Sequence, residues 1–201
     1  MAKTTTPDSP DVRGNIVAVG QRIMAGRGFS AVGLNEILSS AKVPKGSFYH
    51  YFASKDAFGE ALLAQYFDDY LADMDATFGQ AGMTMAERLM RYFAQWRASQ
   101  SFDDCQGKCL AVKLGAEVAD LSEPMRMALK HGTDGIVARL ARVIEGGVAD
   151  GSLSIEGQPA QVAANLYQLW LGASLMVKIG RDVTPFDGAM EATRKLLNLS
   201  R

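Results

Sequence analysis

Cysteine is almost missing from this sequence: Cys105 and Cys109 are the two in 201 residues. Two thiols cannot brace a chain of this size, so a disulfide scaffold is excluded, and they are either core residues or reactive groups. Histidine is as scarce, with only His50 and His131. No Cys/His set lies at metal-binding spacing and no glycine-rich phosphate loop is present. No metal, no cofactor and no enzymatic activity are therefore expected. Long hydrophobic runs are lacking too. The most apolar stretch, residues 166–179, is broken by Gln168, Ser174 and Lys178 and falls short of the roughly 18–20 apolar residues of a membrane span. Residues 1–10 are polar and rich in Thr and Pro, unlike a secretory signal. The expectation is a soluble cytoplasmic protein with no membrane partner. Alternating runs joined by Asn-Gly turns are missing as well, which argues against β structure.

What is present is helical periodicity in an ordinary globular composition, 48% hydrophobic and 21% charged. Ile16, Val19 and Ile23 predict a first helix that Gly26 and Gly28 stop. Leu34, Ile37 and Leu38 start a short second helix. Ala41-Lys42-Val43 reads as a tight turn, and Pro44 suits the first position of a third helix running to about Tyr51. Ser54 caps a long fourth helix, with Asp56 near its positive end and an apolar side from Phe58 to Phe78. Further helices are expected over 84–102, 109–120, 123–149, 160–180 and 186–199. Gly132, Gly135, Gly146 and Gly147 are weak points in the third of these. The fold class is all-α: a three-helix head over 1–54 and a helical sensor and dimerisation body over 55–201.

The net charge of −1 conceals a polarity. Residues 1–55 hold Lys3, Arg13, Arg22, Arg27, Lys42, Lys45 and Lys55 against Asp8, Asp11 and Glu36, an excess of four positive charges. The remainder carries an acidic excess of five. A basic end on an acidic body suits a polyanionic partner at that end.

Three short helices, the last two joined by a three-residue turn, make a helix-turn-helix. The third offers donors or a cation at Lys45, Ser47, Tyr49, His50 and Tyr51. Phe48 and Phe52, at i and i+4, would hold it to its base. A recognition helix needs this division between a packed face and a presented one. Gly46 allows close approach of a backbone or base, and Lys55 adds charge at the next helix start. The segment GFSAVGLNEILSSAKVPKGSFYHYFASKDAF resembles the DNA-binding domain of the tetracycline-repressor (TetR) family. Its Gly-Phe pair and Lys45, Gly46, Ser47, Phe48, Tyr49, Phe52 and Lys55 carry the likeness. Lys42 departs from it, standing where many members have Gly. The resemblance implies double-stranded operator DNA as partner. Lys45, Gly46 and Ser47 would lie at the major groove, Tyr49, His50, Tyr51 and Lys55 mainly on phosphates, and Asn35 within reach of base or backbone.

For the body, the resemblance implies a ligand cavity and a homodimer. The helix at 160–180 is apolar nearly all round and needs cover beyond its own core. Val162, Leu166, Leu169, Ala173 and Met176 are the candidate dimer contacts. CLAVKLGAEVADLSEPMRMAL and LYQLWLGASLMVKIGR, with PKGSFYHYFASKDAFGEALL, resemble a branch of the family that senses reactive electrophiles and oxidants. In that branch the cysteine before the Leu-x-Val-Lys-Leu run is the reactive one, which is Cys109 here. Its neighbour Lys108 and a helix start would favour the thiolate, the nucleophilic form. Lys178, a lone cation in an apolar helix, either snorkels to the surface or lies near enough to tune that thiol. Cys105, beside two carboxylates, is a weaker candidate as resolving thiol. Two readings of function stay open: a repressor released when an electrophile or oxidant modifies Cys109, or one released by a small apolar ligand with the cysteines incidental.

Overall fold

The computed structural model describes residues 11–99 and 110–199, and within them the chain is helical with no strand. The helices are α1 (Val12–Arg27), α2 (Leu34–Ala41), α3 (Lys45–Tyr51), α4 (Lys55–Phe78), α5 (Met85–Ser99), α6 (Leu110–Leu121), α7 (Glu123–Ala149), α8 (Pro159–Gly180) and α9 (Thr184–Leu196).

Local chemistry sets the boundaries in the head. Asp11 opens α1 by accepting the Gly14 N–H at 2.8 Å, the usual relief for an unpaired first-turn donor. Gly26 stays inside α1 and does not help to stop it. Gly28 ends the helix, with φ +91°, because that conformation is open to glycine at little cost. α2 closes with Lys42 in the left-handed region (φ 56°, ψ 41°). The Val43 N–H donates to the Leu38 carbonyl at 3.1 Å and the Lys42 N–H to Ser39 at 3.2 Å, a Schellman ending. Ser54 caps α4 by accepting from the Ala57 N–H at 3.0 Å.

The head core gathers Ile16, Met24, Ile37, Phe48 and Phe58, all fully buried. α4 runs unbroken from Lys55, and its first turns belong to this core as much as to the body. A Cβ on Gly20 of α1 would stand 2.3 Å from the Phe58 ring, so the glycine is what lets α1 lie against α4. α4 is thus a beam shared by both parts.

In the body α4 packs along α7, α7 along α8, and α8 along α9. The glycines of α7 do not interrupt it. A Cβ on Gly132 would come within 2.0 Å of the Phe67 ring, so there the missing side chain brings α4 and α7 close. Arg139 of α7 grips Asp75 of α4 with two hydrogen bonds of 2.8 and 2.7 Å. The hydrogen bond from Arg139 holds the Asp75 carboxyl below its ordinary pKa. The far core is an aromatic column: Phe93 stacks on Trp170 at 4.7 Å and Trp170 on Phe186 at 5.6 Å. Both indoles are satisfied, Trp170 donating to Thr193 at 2.9 Å and Trp96 to Ser174 at 3.0 Å.

Candidate nucleic-acid interface and sensor region

The recognition surface begins with what anchors α3. Phe48 is fully buried, and its ring lies 5.2 Å from Phe52 and 5.5 Å from Phe58. This cluster turns the opposite side of the helix outward. Lys45, Gly46, Tyr49, His50 and Tyr51 are exposed and Ser47 is half-buried. Tyr49 sets its ring at right angles to Phe48 at 5.4 Å yet remains 51% exposed, a large aromatic surface left to water. The Lys45 ammonium stands 5.8 Å from the centre of the Tyr49 ring, which gathers a cation and a phenol into one patch. Nothing lies within 4 Å of where a Gly46 Cβ would be. The glycine costs helix stability, roughly 1 kcal/mol against alanine, and no intramolecular contact demands it. Asn35 is exposed on α2.

Lys55 is the exception. Its ammonium donates to the Phe29 carbonyl at 2.8 Å and lies 4.5 Å from the centre of the Phe29 ring. The half-buried ammonium is therefore tethered within the head by one of its three N–H groups.

Two family models match the chain, one of them over this N-terminal arrangement of helix, turn and outward-facing α3. "Bacterial regulatory proteins, tetR family" covers residues 16–62, and "Tetracyclin repressor-like, C-terminal domain" covers residues 86–193. The chain belongs to the tetracycline-repressor family. It is 38% identical over 187 residues to the HTH-type transcriptional repressor NemR of Escherichia coli K12, spanning 93% of this chain and 94% of that one. It is 34% identical to the HTH-type transcriptional repressor DhaR of a Mycobacterium species, over 88% of this chain and 87% of that one. The crystal structure of reduced E. coli NemR superposes with a TM-score of 0.89 at 40% identity, covering 93% of this chain and 97% of that one.

The candidate sensor residues of this TetR-family protein are only partly in view. Cys105 and Cys109 lie outside the described residues, so their distance to Lys178 does too. The described part of α6 begins at Leu110. Lys178 is half-buried in the last turn of α8, where a cation meets the negative end of the helix dipole. A cavity of about 180 Å³ opens between α4 and α5, lined by Tyr70, Met74, Tyr92 and Trp96 among others.

The candidate dimer contacts need correction. Val162, Leu166 and Ala173 are buried in the protomer's own core and Leu169 is half-buried, since α7 and α9 flank α8. Of the five, Met176 faces solvent, 53% exposed. Leu175 and Ile179, which the sequence reading did not single out, stand exposed on the outward side of α8, 49% and 67%. Gly172, read from the sequence as a small residue that permits close helix approach, lies on the same outward face and has open space where a Cβ would be. The signal was legible: Gln161, Asn165 and Gln168 continue into Gly172, Leu175 and Ile179 at helical spacing, and the polar start of that stripe marks the outward face.

A second residue was missed with no local signal at all. Glu117 on α6 accepts the Phe29 N–H at 3.0 Å and the Ser30 N–H at 2.7 Å, across 87 or more residues of sequence. Burial pushes its carboxyl pKa up. The hydrogen bonds from Ser30 and Phe29, with Lys113 nearby, outweigh that and hold it below the ordinary glutamate value.

Proposed function

We propose that the protein is a homodimeric repressor that binds double-stranded operator DNA through the exposed side of α3. It leaves the DNA when a reactive electrophile or oxidant modifies Cys109. The observation that carries the DNA half is the division of α3: Phe48 is sealed in the core while Lys45, Gly46, Tyr49 and His50 face outward around an unneeded glycine. Its site of action is the cytoplasm, where such DNA is found; among the described residues no helix is long and apolar enough to cross a membrane.

The dimer is formed by the outward stripe of α8, with Leu175, Met176 and Ile179 as its apolar part and Gly172 permitting close helix approach. An apolar stripe of this kind on a surface helix is what an isologous partner would cover. Two-fold symmetry then presents two copies of α3 to a palindromic site.

The sensor half rests on likeness to NemR and on Cys109 standing directly before the Leu-x-Val-Lys-Leu run in the sequence. With a maleimide, the Cys109 thiolate sulfur bonds to the electrophilic carbon, and the resulting enolate takes a proton from water. With a peroxide, the thiolate becomes a sulfenic acid and hydroxide leaves. Lys178 tunes the thiol, and Cys105 is at most a resolving partner. Release of fluorescent operator DNA by a maleimide tests this. Wild type and Cys105→Ser should be released, while Cys109→Ser should bind DNA and stay bound. Release of Cys109→Ser would overturn the cysteine reading. It would favour instead reversible binding of an apolar ligand, for which the cavity between α4 and α5 is the supporting observation.

A further inference from the structure

We infer that Glu117 is a positioning residue for DNA recognition: its carboxylate clamps the α1–α2 loop to α6 and so fixes the head's angle on the body. The inference rests on the operator-binding dimer but not on the cysteine chemistry.

Gly28 ends α1 at φ +91°, and the N–H groups of Phe29 and Ser30 fall in the turn that follows, outside α1 and α2. Glu117 takes both, one carboxylate oxygen each, at 3.0 and 2.7 Å. Charge-assisted bonds of this paired kind are stronger and more directional than neutral ones. The loop is held from the other side as well. Lys55 donates to the Phe29 carbonyl. The Phe29 ring presses on α4 so closely that a Cβ on Gly59 would lie 2.7 Å from it and 2.4 Å from Met125 Sδ of α7. A Cβ on Gly28 would stand 2.8 Å from the Glu117 carboxylate. Two glycines therefore make room for this clamp.

The consequence follows from the beam. α4 alone would be a single attachment about which the head could pivot. Glu117 supplies a second attachment from a different helix, and two attachments fix an angle. In a two-fold dimer that angle sets the separation of the two recognition helices, which must match half-sites about one duplex turn apart. Glu117 touches no DNA in this scheme and acts through the loop it holds.

The test uses the full-length dimer and a palindromic site enriched by the wild type from a random duplex pool. Affinity is then measured with one base pair inserted or removed at the centre. The wild type should lose about tenfold or more, because each base pair turns one half-site by about 34°. Glu117→Ala should bind the best site more weakly yet lose only about threefold on the altered spacings, and Glu117→Gln, keeping one acceptor, should fall between. The amides of Phe29 and Ser30 should exchange with deuterium at least about tenfold faster in Glu117→Ala, with α7 unchanged. A merely stabilising role would weaken all spacings alike and leave their ratio intact, and that result overturns the inference. A wild type indifferent to spacing overturns it too. Should Glu117→Ala fail to fold, Glu117→Gln decides the same ratio. A wild type that enriches no palindrome instead sinks the dimeric operator reading on which the inference stands.

Discussion

The head and the body solve opposite problems with the same element type. The head is small and spends much of its aromatic content at a surface: Phe48, Phe52 and Phe58 form its base while Tyr49 and Tyr51 stand 51% and 40% exposed. The body stacks its aromatics inward, Phe93 on Trp170 on Phe186, and gathers three exposed apolar residues, Leu175, Met176 and Ile179, near the end of α8. A surface built for a duplex of fixed shape constrains residue type position by position. A packed interior constrains volume and period, and many sequences meet that. This is why residues of the head were individually readable while those of the body were readable only as helices.

The largest effect expected lies in the body, where the contrast can be broken. Ile179→Glu would remove an apolar side chain and place a charge on the α8 stripe, once in each protomer by symmetry. Twice the roughly 1.5–3 kcal/mol of one buried Ile gives a dimer weakened by about 3–6 kcal/mol. Sedimentation should show monomers at micromolar concentration, and operator binding should fall with them. A dimer of unchanged strength would mean the stripe lies outside the interface. Next comes Phe48→Ala. Truncating a fully buried phenylalanine costs about 3–5 kcal/mol. Because Phe48 touches Phe58 on α4, denaturant unfolding should remain one transition at lower midpoint, and a separate early transition of the head would contradict the shared beam.

These two substitutions also mark the limit of what the sequence disclosed. The order of helices, the turn at Lys42, the cap at Ser54 and the buried Phe48 all follow from local rules of spacing, capping and turn chemistry. Gly132 looked like a weak point in α7 because a glycine's local cost is visible and its tertiary use, room for Phe67, is not. The tether of Lys55 was hidden because its partner, the Phe29 carbonyl, is distant in sequence. Val162, Leu166 and Ala173 looked like interface because an apolar helix does not announce which side its own protomer covers. Glu117 had no local signature at all. Each miss is a residue whose role is fixed by a partner far along the chain.

A smaller effect sharpens the head's side of the contrast. Lys45→Ala should weaken binding to every duplex alike, and log K against log salt should lose roughly 0.9 of a unit in slope, the counterion release of one phosphate contact. Lys55→Ala, by contrast, should leave the slope unchanged and lower stability, since that ammonium holds Phe29. Equal slope losses in both would show that Lys55 also meets a phosphate.

The smallest expected effect is at Lys42, and it bears on why the head departs from local ease. Lys42 sits at φ 56° and is exposed. It ends α2 in a conformation that costs a side-chain-bearing residue about 1 kcal/mol relative to glycine. Lys42→Gly removes that strain but adds freedom to the unfolded chain. The net gain should therefore be under about 1 kcal/mol, a rise in melting temperature of roughly 1–3 °C for a chain of this size. Stability alone would favour the glycine, so the lysine calls for a use, and residues that keep local strain cluster where function needs them. If the use is a phosphate contact beside α3, Lys42→Gly should be more stable yet bind DNA more weakly, with a salt slope reduced by about 0.9. The two readouts move in opposite directions, which no general damage to the head could produce. A variant that is both more stable and unchanged in salt slope would show that the ammonium at this turn takes no part in holding DNA.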